Sequence, residues 1–411
     1  MTFTDRAASE TRRSQAQRGV LSTVTPLLCV LSASACARER SRPSRTMGVP
    51  VDFVPLPGQH GLGVKLSTCV EPEALQEAGL LQRVLEALDE HGLVVLQTTA
   101  PASASQLDAF ATGLLGPNSL VDFSGCDANA RNQGGGGSKC HAPGVPTVRV
   151  LGNKTDASGQ PTSLLCRMGY EWHNDGVGPG VISILQCLAT PSCGGETLFA
   201  SSSALYAALS AEQKAIADAA ILVCSNKYTG GGPAAVDAEC GLRMDPTGTK
   251  RIRPAETTRP GWTLNESTTP LVMKHAHSGK PVIVQGGKNL DHIKGMDAEA
   301  SAELLSSLLC TGLKPQHVTP LDEDLYATGK TSFAPEAVLE FKWAPGTIVV
   351  WDNQAMLHST TPVVLYGPGE RLFFHIIGTD QRHLGEHADT GGGDYGKNQR
   401  DAFFLGARAT E

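Results

Sequence analysis

Thr347-Ile348-Val349-Val350-Trp351-Asp352-Asn353-Gln354-Ala355-Met356-Leu357-His358 opens with a short apolar run rich in β-branched residues. Pro345-Gly346 stands before that run and a polar Asn-Gln pair follows it, so 347–352 reads as a strand and not as a helix turn. Working outward, the same texture recurs at 181–187, 197–201, 221–225, 281–285, 338–343 and 371–378. Leu93-Val94-Val95-Leu96-Gln97 reads as a further buried strand. Helices punctuate these strands. Residues 72–91 place leucines and Val84 at helical spacing, with Pro72 in the first turn and Gly92 as a stop signal. Residues 105–115 and 211–220 form two more. A helix over 297–309 starts at the N-cap signal Met296-Asp297-Ala298-Glu299.

Many short strands with wide insertions predict a mainly β chain with flanking helices (α+β) around a double-stranded β-helix core, that is, a jelly-roll or cupin-like barrel. Composition agrees: Gly (45) and Pro (25) are plentiful and aromatics are only 5%, which suits strands and turns better than a helical bundle. The 411 residues would accommodate two or three domains at roughly 150 each. From Pro50 onward, however, the chain reads as one continuous unit, 47–385, followed by a polar tail, 386–411. The glycine runs 134–137, 230–232 and 391–393 match neither a P-loop nor a dinucleotide fingerprint and read as loops. A net charge of −7 argues against a general nucleic-acid binder, which needs a basic footprint. No stretch is apolar for long enough to span a bilayer. Eleven cysteines are scattered without a CxxC pair, which favours free thiols in a reducing compartment.

Residues 1–46 stand apart. They carry Arg6, Arg12, Arg13, Arg18, Arg38, Arg40, Arg42 and Arg45 among many Ser, Thr and Ala, with Asp5, Glu10 and Glu39 as the acids. This composition resembles an organellar transit peptide, with a plastid or mitochondrial destination, and otherwise a cytoplasmic protein. Two other readings stay open: a secretory signal, with the apolar run 20–35 ending in Ala33-Ser34-Ala35, and an extension without structure ahead of Met47.

Chemistry gathers at Trp172-His173-Asn174-Asp175. In an extended strand residues i and i+2 share a face, so His173 and Asp175 can present an imidazole and a carboxylate to one point. With one distant histidine, such a pair makes the two-His-one-carboxylate triad of non-haem Fe(II) oxygenases. The spacing alone is weak, because twelve histidines and Asp at about 5% supply about half such a pair by chance. A second pair, His387-Ala388-Asp389, lies in the polar tail and reads as solvated surface.

The surroundings of the first pair carry more weight. Downstream come Cys193-Gly194-Gly195-Glu196-Thr197-Leu198-Phe199, then Trp343-Ala344-Pro345-Gly346, then Trp351-Asp352-Asn353 with His358 five positions on, then Glu370-Arg371-Leu372-Phe373-Phe374-His375. This ordered set resembles the taurine dioxygenase family of Fe(II)/2-oxoglutarate-dependent oxygenases, which includes enzymes acting on phenoxyacetates, alkyl sulfates and carnitine precursors. The likeness runs from about Val51 to about Asp380 and includes 270–295, similar to the hairpin that precedes the family's last helix.

The resemblance implies that His173, Asp175 and His358 hold Fe(II). It implies that Arg371 and Thr197 bind the far carboxylate of 2-oxoglutarate, the types that pair with carboxylates through a guanidinium fork and a neutral hydroxyl. Dioxygen is the co-reactant, succinate and CO2 are products, ascorbate is supportive, and the primary substrate is a small molecule, anionic by analogy. A homo-oligomer is compatible with this reading. Two departures stand out. His375 occupies the place of a second arginine found in many relatives, where it either reaches the co-substrate or packs as a core histidine, and Glu196 replaces an aspartate. The insertion 127–143 falls where substrate-covering loops lie. Trp172, Trp343 and Trp351 read as packing residues, Lys274, His275 and His277 as a surface turn, Cys187 and Cys193 as thiols outside the ligand set, and Arg167 and Tyr170 as pocket lining or salt-bridge residues. Asp175 favours hydroxylation over halogenation, which needs a small residue there. A metal-binding cupin without 2-oxoglutarate, or a non-catalytic relative, are the competing readings.

Overall fold

The computed structural model describes residues 52–58, 61–123, 141–152, 170–176, 178–191, 194–225, 266–285, 290–320, 329–361 and 371–383. The readings placed on 1–46, on 386–411 with its His387-Ala388-Asp389, on the three glycine runs, on Arg167 and Cys193, and on most of the 127–143 insertion lie outside the described residues.

The strands, in chain order, begin with β1 (Phe53–Pro55), β2 (Val64–Leu66), β3 (Leu93–Gln97), β4 (His141–Ala142), β5 (Val145–Gly152), β6 (Tyr170–His173), β7 (Val181–Ala189) and β8 (Thr197–Ser201). Next come β9 (Ile221–Ser225), β10 (Glu266–Pro270), β11 (Val272–Lys274), β12 (Pro281–Ile283), β13 (Leu290–Ile293), β14 (Pro315–Pro320) and β15 (Gly329–Phe333). The last are β16 (Leu339–Phe341), β17 (Thr347–Asp352), β18 (Met356–Thr360) and β19 (Leu372–Thr379). An eight-stranded sheet runs β1-β2-β3-β17-β7-β19-β5-β4, and a four-stranded sheet runs β16-β8-β18-β6. Among the described strands, pairing is antiparallel except between β2 and β3.

Alternation along the central strands explains their unbroken apolar sequence, because each is buried on both faces. Val94 and Leu96 of β3, Ile182 and Ile184 of β7, Ile348 and Val350 of β17 and Ile376 of β19 face one way. They pack on Leu80, Val84 and Leu88 of helix α1 (Ala78–His91) and on Leu107, Phe110 and Leu114 of helix α2 (Ala104–Leu115). Leu93, Val95, Leu185, Cys187, Val349, Trp351 and Phe373 face the other way, onto Phe199, Leu339, Trp343 and Met356 of the smaller sheet and its flank. The far side of that smaller sheet, through Trp172, Leu198, Ala200 and Leu357, is covered by Leu305, Leu308, Leu309 and Leu313. Each such side chain contributes about 1.5–3 kcal/mol on burial.

The helices follow their caps. Ser103 and Gln106 exchange hydrogen bonds in a capping box that starts α2. Helices α3 (Ser202–Ala208), which the sequence did not announce, and α4 (Ala211–Ala219) begin at Ser201 and Ser210, each accepting from a backbone N–H. Asp297 caps α5 (Ala298–Leu313), which runs four residues beyond the expected end to a left-handed Lys314. The helix expected over 72–91 is broken: Pro72–Gln76 is a 3-10 turn and Glu77 is extended. Pro72 and Leu75, its buried residues, are three apart, which suits three residues per turn. Gly92 ends α1 at φ 71, and a Cβ there would come within 2.8 Å of Ala355 Cβ. Only glycine therefore lets the α1–β3 corner meet the turn between β17 and β18. Among the described residues no helix is long and apolar enough to cross a membrane.

Candidate metal centre and co-substrate anchor

His358 stands in the middle of β18, directly opposite His173 at the end of β6. Their rings lie 4.1 Å apart between centroids. Asp175 joins them: its Oδ1 is 3.9 Å from His173 Nε2 and its Oδ2 is 3.7 Å from His358 Nε2. One donor atom from each residue falls within 4.8 Å of the others.

The expected extended His-x-Asp strand is corrected here. Strand β6 stops at His173 and Asp175 sits in a bend. A turn scaffold, not the pleat, aims its carboxylate. Asn174 is buried; its Oδ1 accepts from Gln285 N–H at 2.7 Å, and its Nδ2 donates to the carbonyls of Met356 (3.1 Å) and Asn353. The Asp175 N–H donates to Asn353 Oδ1 at 3.0 Å, and Ser183 donates to Asp175 Oδ2 at 2.6 Å.

Asn353 is the hub. Its Oδ1 also accepts from Trp351 Nε1 (3.2 Å), and its Nδ2 donates to Ser183 Oγ (3.0 Å) and the Val181 carbonyl (3.2 Å). Asp352 shapes the same turn, accepting from the N–H groups of Gln354 (2.7 Å) and Ala355 (3.3 Å). His275 fastens the turn from outside. Far from lying on a surface turn, it is 5% exposed, with Nε2 3.0 Å from Asp352 Oδ2 and Nδ1 accepting from Ser278 N–H. Its neighbour His277 is exposed, as expected for the tip of the β11–β12 hairpin, 3.9 Å from Asp89.

Burial pushes His358 down to about 3, aided by the neighbouring His173 and opposed by Asp175. Burial opposes ionisation of Asp175, but the imidazoles of His375, His358 and His173 outweigh it and hold its carboxyl well below the usual range. A neutral imidazole and an ionised carboxylate are the states a divalent cation requires. The donor set, two histidines and one carboxylate from three short stretches, fits ferrous iron with coordination positions left over.

Arg371 and Thr197 are linked by the Phe373–Trp343 pair. Arg371, 3% exposed, precedes β19 and lays its guanidinium 4.5 Å over the Phe373 ring. Its carbonyl passes so close to Gly152 that a Cβ there would collide with it, and Gly152 has φ 154. Phe373 meets Trp343 edge-on at 5.0 Å, and Trp343 Nε1 donates to Thr197 Oγ1 at 3.0 Å. Thr197 keeps its own hydroxyl proton to donate elsewhere. Glu196, in place of the expected aspartate, accepts from the Thr361 hydroxyl. Cys187 lies on this inner face, pushed up to about 12 by burial against the pull of Arg371, so it remains a neutral thiol.

His375 is buried and parallel to the Trp351 ring at 6.3 Å. It lies beside Asp175: Nε2 is 3.3 Å from Asp175 Oδ2, and Nδ1 is 2.6 Å from Arg149 Nη2. Arg149 was not visible in the sequence, because only the pairing of β5 with β19, which sets Arg149 opposite His375, brings it here. The three tryptophans are packed, as expected, Trp172 against Phe333 at 5.6 Å, but Trp343 and Trp351 also orient functional groups. Tyr170 opens β6.

Sheets that converge two imidazoles and a carboxylate beside a buried guanidinium define a candidate non-haem iron oxygenase. The profile of the "Taurine catabolism dioxygenase TauD, TfdA family" matches residues 53–379, and the chain belongs to that family. Family members are oxidoreductases that use Fe(II), 2-oxoglutarate and dioxygen. The chain is 26% identical to an alkylsulfatase of Acinetobacter baylyi, over 61% of this chain and 68% of that protein. It is 28% identical to an alpha-ketoglutarate-dependent sulfate ester dioxygenase of Pseudomonas putida over 53% and 61%, and to an (S)-phenoxypropionate/alpha-ketoglutarate-dioxygenase of Delftia acidovorans over 46% and 55%. The matched stretches thus span between 55% and 68% of those relatives. A crystal structure of a taurine dioxygenase from Burkholderia xenovorans superposes with a TM-score of 0.50 at 18% identity, covering 80% of this chain and 89% of that one, a likeness of fold.

Proposed function

We propose that this protein is a 2-oxoglutarate-dependent dioxygenase that hydroxylates an unactivated C–H bond of a small anionic metabolite, releasing succinate and CO2, on two sheets that form a double-stranded β-helix. The observation that carries this reading is the meeting of His173, Asp175 and His358 within 4.8 Å, in a fold that also buries Arg371 and Thr197 and links them through Phe373 and Trp343.

When bound, ferrous iron with the keto acid and dioxygen supplies the oxidant for the C–H bond. The chain's own residues do the rest. His173, His358 and Asp175 would hold the cation from one side, leaving the opposite side open. Arg371 and Thr197 would orient the far carboxylate of 2-oxoglutarate, one through a charged fork and one through a neutral donor. Phe199, Trp351, Trp343 and Phe373 wall the region with apolar surface, which excludes water and strengthens the polar contacts inside. The anionic class of substrate is supported by the names of the relatives, which act on sulfate esters and a phenoxypropionate.

Purified protein given Fe(II), ascorbate and 2-oxoglutarate is expected to form succinate slowly without a primary substrate, and faster when a metabolite extract supplies one. Iron-loaded protein that forms no succinate under either condition defeats the proposal.

A further inference from the structure

Strand alternation brings Arg149 between the two sheets. Along β5, Val148 and Val150 pack with the helices α1 and α2, while Leu151 packs with Val349, Trp351 and Phe373 on the opposite face. Arg149, two residues before Leu151, projects on that inner face. His375 of β19 does the same, because Phe374 and Ile376 on either side of it turn to the helices. Arg149 Nη2 lies 2.6 Å from His375 Nδ1, and the far edge of that imidazole lies 3.3 Å from Asp175 Oδ2. The guanidinium thus stands one imidazole ring from a proposed metal ligand.

Arg149 is 6% exposed, yet it has no carboxylate partner among the described residues. Its Nε is buried without a hydrogen bond, and its other neighbour is the Phe123 ring at 5.1 Å. Of the five donors that a guanidinium carries, one meets an acceptor among the described residues. A buried cation without an answering charge lowers stability, so its presence on this face calls for a partner that arrives from outside. Asp175 does not supply that charge once a divalent cation claims it. The carboxylates of 2-oxoglutarate would in turn be answered by that cation and by Arg371. Arg149 is left with a whole positive charge and a planar fork that matches an oxyanion.

We propose that Arg149 is a specificity-determining residue that binds the oxyanion head of the primary substrate, a sulfate ester or a carboxylate, so that the carbon chain behind that head lies against the proposed metal centre. This rests on the reading of the protein as an oxygenase of a small anionic metabolite.

The test is thermal unfolding of the full-length protein, loaded with Mn(II) in the absence of dioxygen and saturated with 2-oxoglutarate, so that Arg371 is already occupied. Butyl sulfate and 2-phenoxypropionate are the probes, and 2-phenoxypropionamide is the uncharged control. A ligand that binds the folded form raises the midpoint with its concentration. At least one of the anions is expected to do so, the stronger of the two naming the head, and the amide should bind about tenfold more weakly or less. Arg149→Met keeps the length of the side chain and deletes its charge. It should weaken the anion about ten- to a hundredfold, leave the amide as it was, and leave the probe-free midpoint unchanged or higher. Arg149→Lys keeps the charge without the fork and should fall between. Affinity for 2-oxoglutarate should stay within about threefold in both variants. Equal anion affinity in the parent and Arg149→Met overturns the proposal. So does an Arg149→Met protein that unfolds earlier without probe or fails to fold, which marks Arg149 as structural. A matching loss of 2-oxoglutarate affinity overturns it too, by assigning Arg149 to the co-substrate. A parent that binds 2-oxoglutarate but neither anion overturns this inference alone, whereas a parent that binds no 2-oxoglutarate overturns the oxygenase reading beneath it.

Discussion

Asp175, with its side chain about a tenth exposed, and the buried Arg371 are both charges withdrawn from water, but they are held in different ways. Around Asp175 two hydrogen bonds do the orienting, one from Ser183 to its carboxylate and one from its own N–H to Asn353. Around Arg371 ring packing is prominent: Phe373 lies beneath the guanidinium and Trp343 against Phe373. Hydrogen bonds define direction steeply, whereas ring packing defines position and tolerates small rotations. The candidate metal site is thus constrained by direction, and the proposed co-substrate anchor by ring packing.

Substitutions can break or sharpen that contrast. The largest effect is expected from His358→Ala, which removes a ligand: succinate formation should fall about a thousandfold, the several kcal/mol that a bound metal contributes, and Mn(II) affinity should fall with it. Retained affinity would show that the centre tolerates a missing donor, contrary to a site constrained by direction. Next comes Asn353→Ala, which touches no proposed ligand atom. It strands the Asp175 N–H and the Trp351 indole N–H, at about 1–3 kcal/mol each. Urea unfolding should move to lower denaturant with an unchanged slope, and metal binding should weaken. Unchanged metal binding at reduced stability would separate the hub from the pocket.

On the other side, Arg371→Ala should raise the 2-oxoglutarate requirement about thirtyfold with a smaller change in kcat, close to 2 kcal/mol for a charged hydrogen-bonded pair. An unchanged requirement removes Arg371 from the anchor. The smallest effect belongs to Trp343→Phe, which keeps an aromatic edge against Phe373 and deletes the donor to Thr197. A rise of about threefold in the 2-oxoglutarate KM is expected, under 1 kcal/mol. A loss as large as that of Arg371→Ala would mean that the anchor is held by hydrogen bonds after all.

Much of this was legible in sequence for identifiable reasons. Strands buried on both faces, such as β3 and β17, announce themselves as unbroken apolar runs, and their bounds agree with the reading. Caps at Asp297 and the stop at Gly92 are local chemistry, so they too were readable. The proposed ligands came from an ordered motif. What stayed hidden depends on register or on turn geometry. Arg149 is an isolated arginine until β5 pairs with β19. Asn353 lies inside the motif, yet its role appears only when the β17–β18 turn meets β7. His275 read as surface because Lys274 and His277 flank it, and only Asp352 draws it inward. Asp175 was expected in a strand because two-residue spacing suits one, although a bend serves the same spacing.

Cys187 carries one more implication. Peroxide oxidises a cysteine through its thiolate, and burial, which pushes the Cys187 thiol up to about 12, keeps it protonated near neutral pH. This thiol is thus kept in its less reactive form by the apolar burial it shares with Val349 and Phe373. Added peroxide should therefore modify Cys187 more slowly than an exposed thiol such as Cys69.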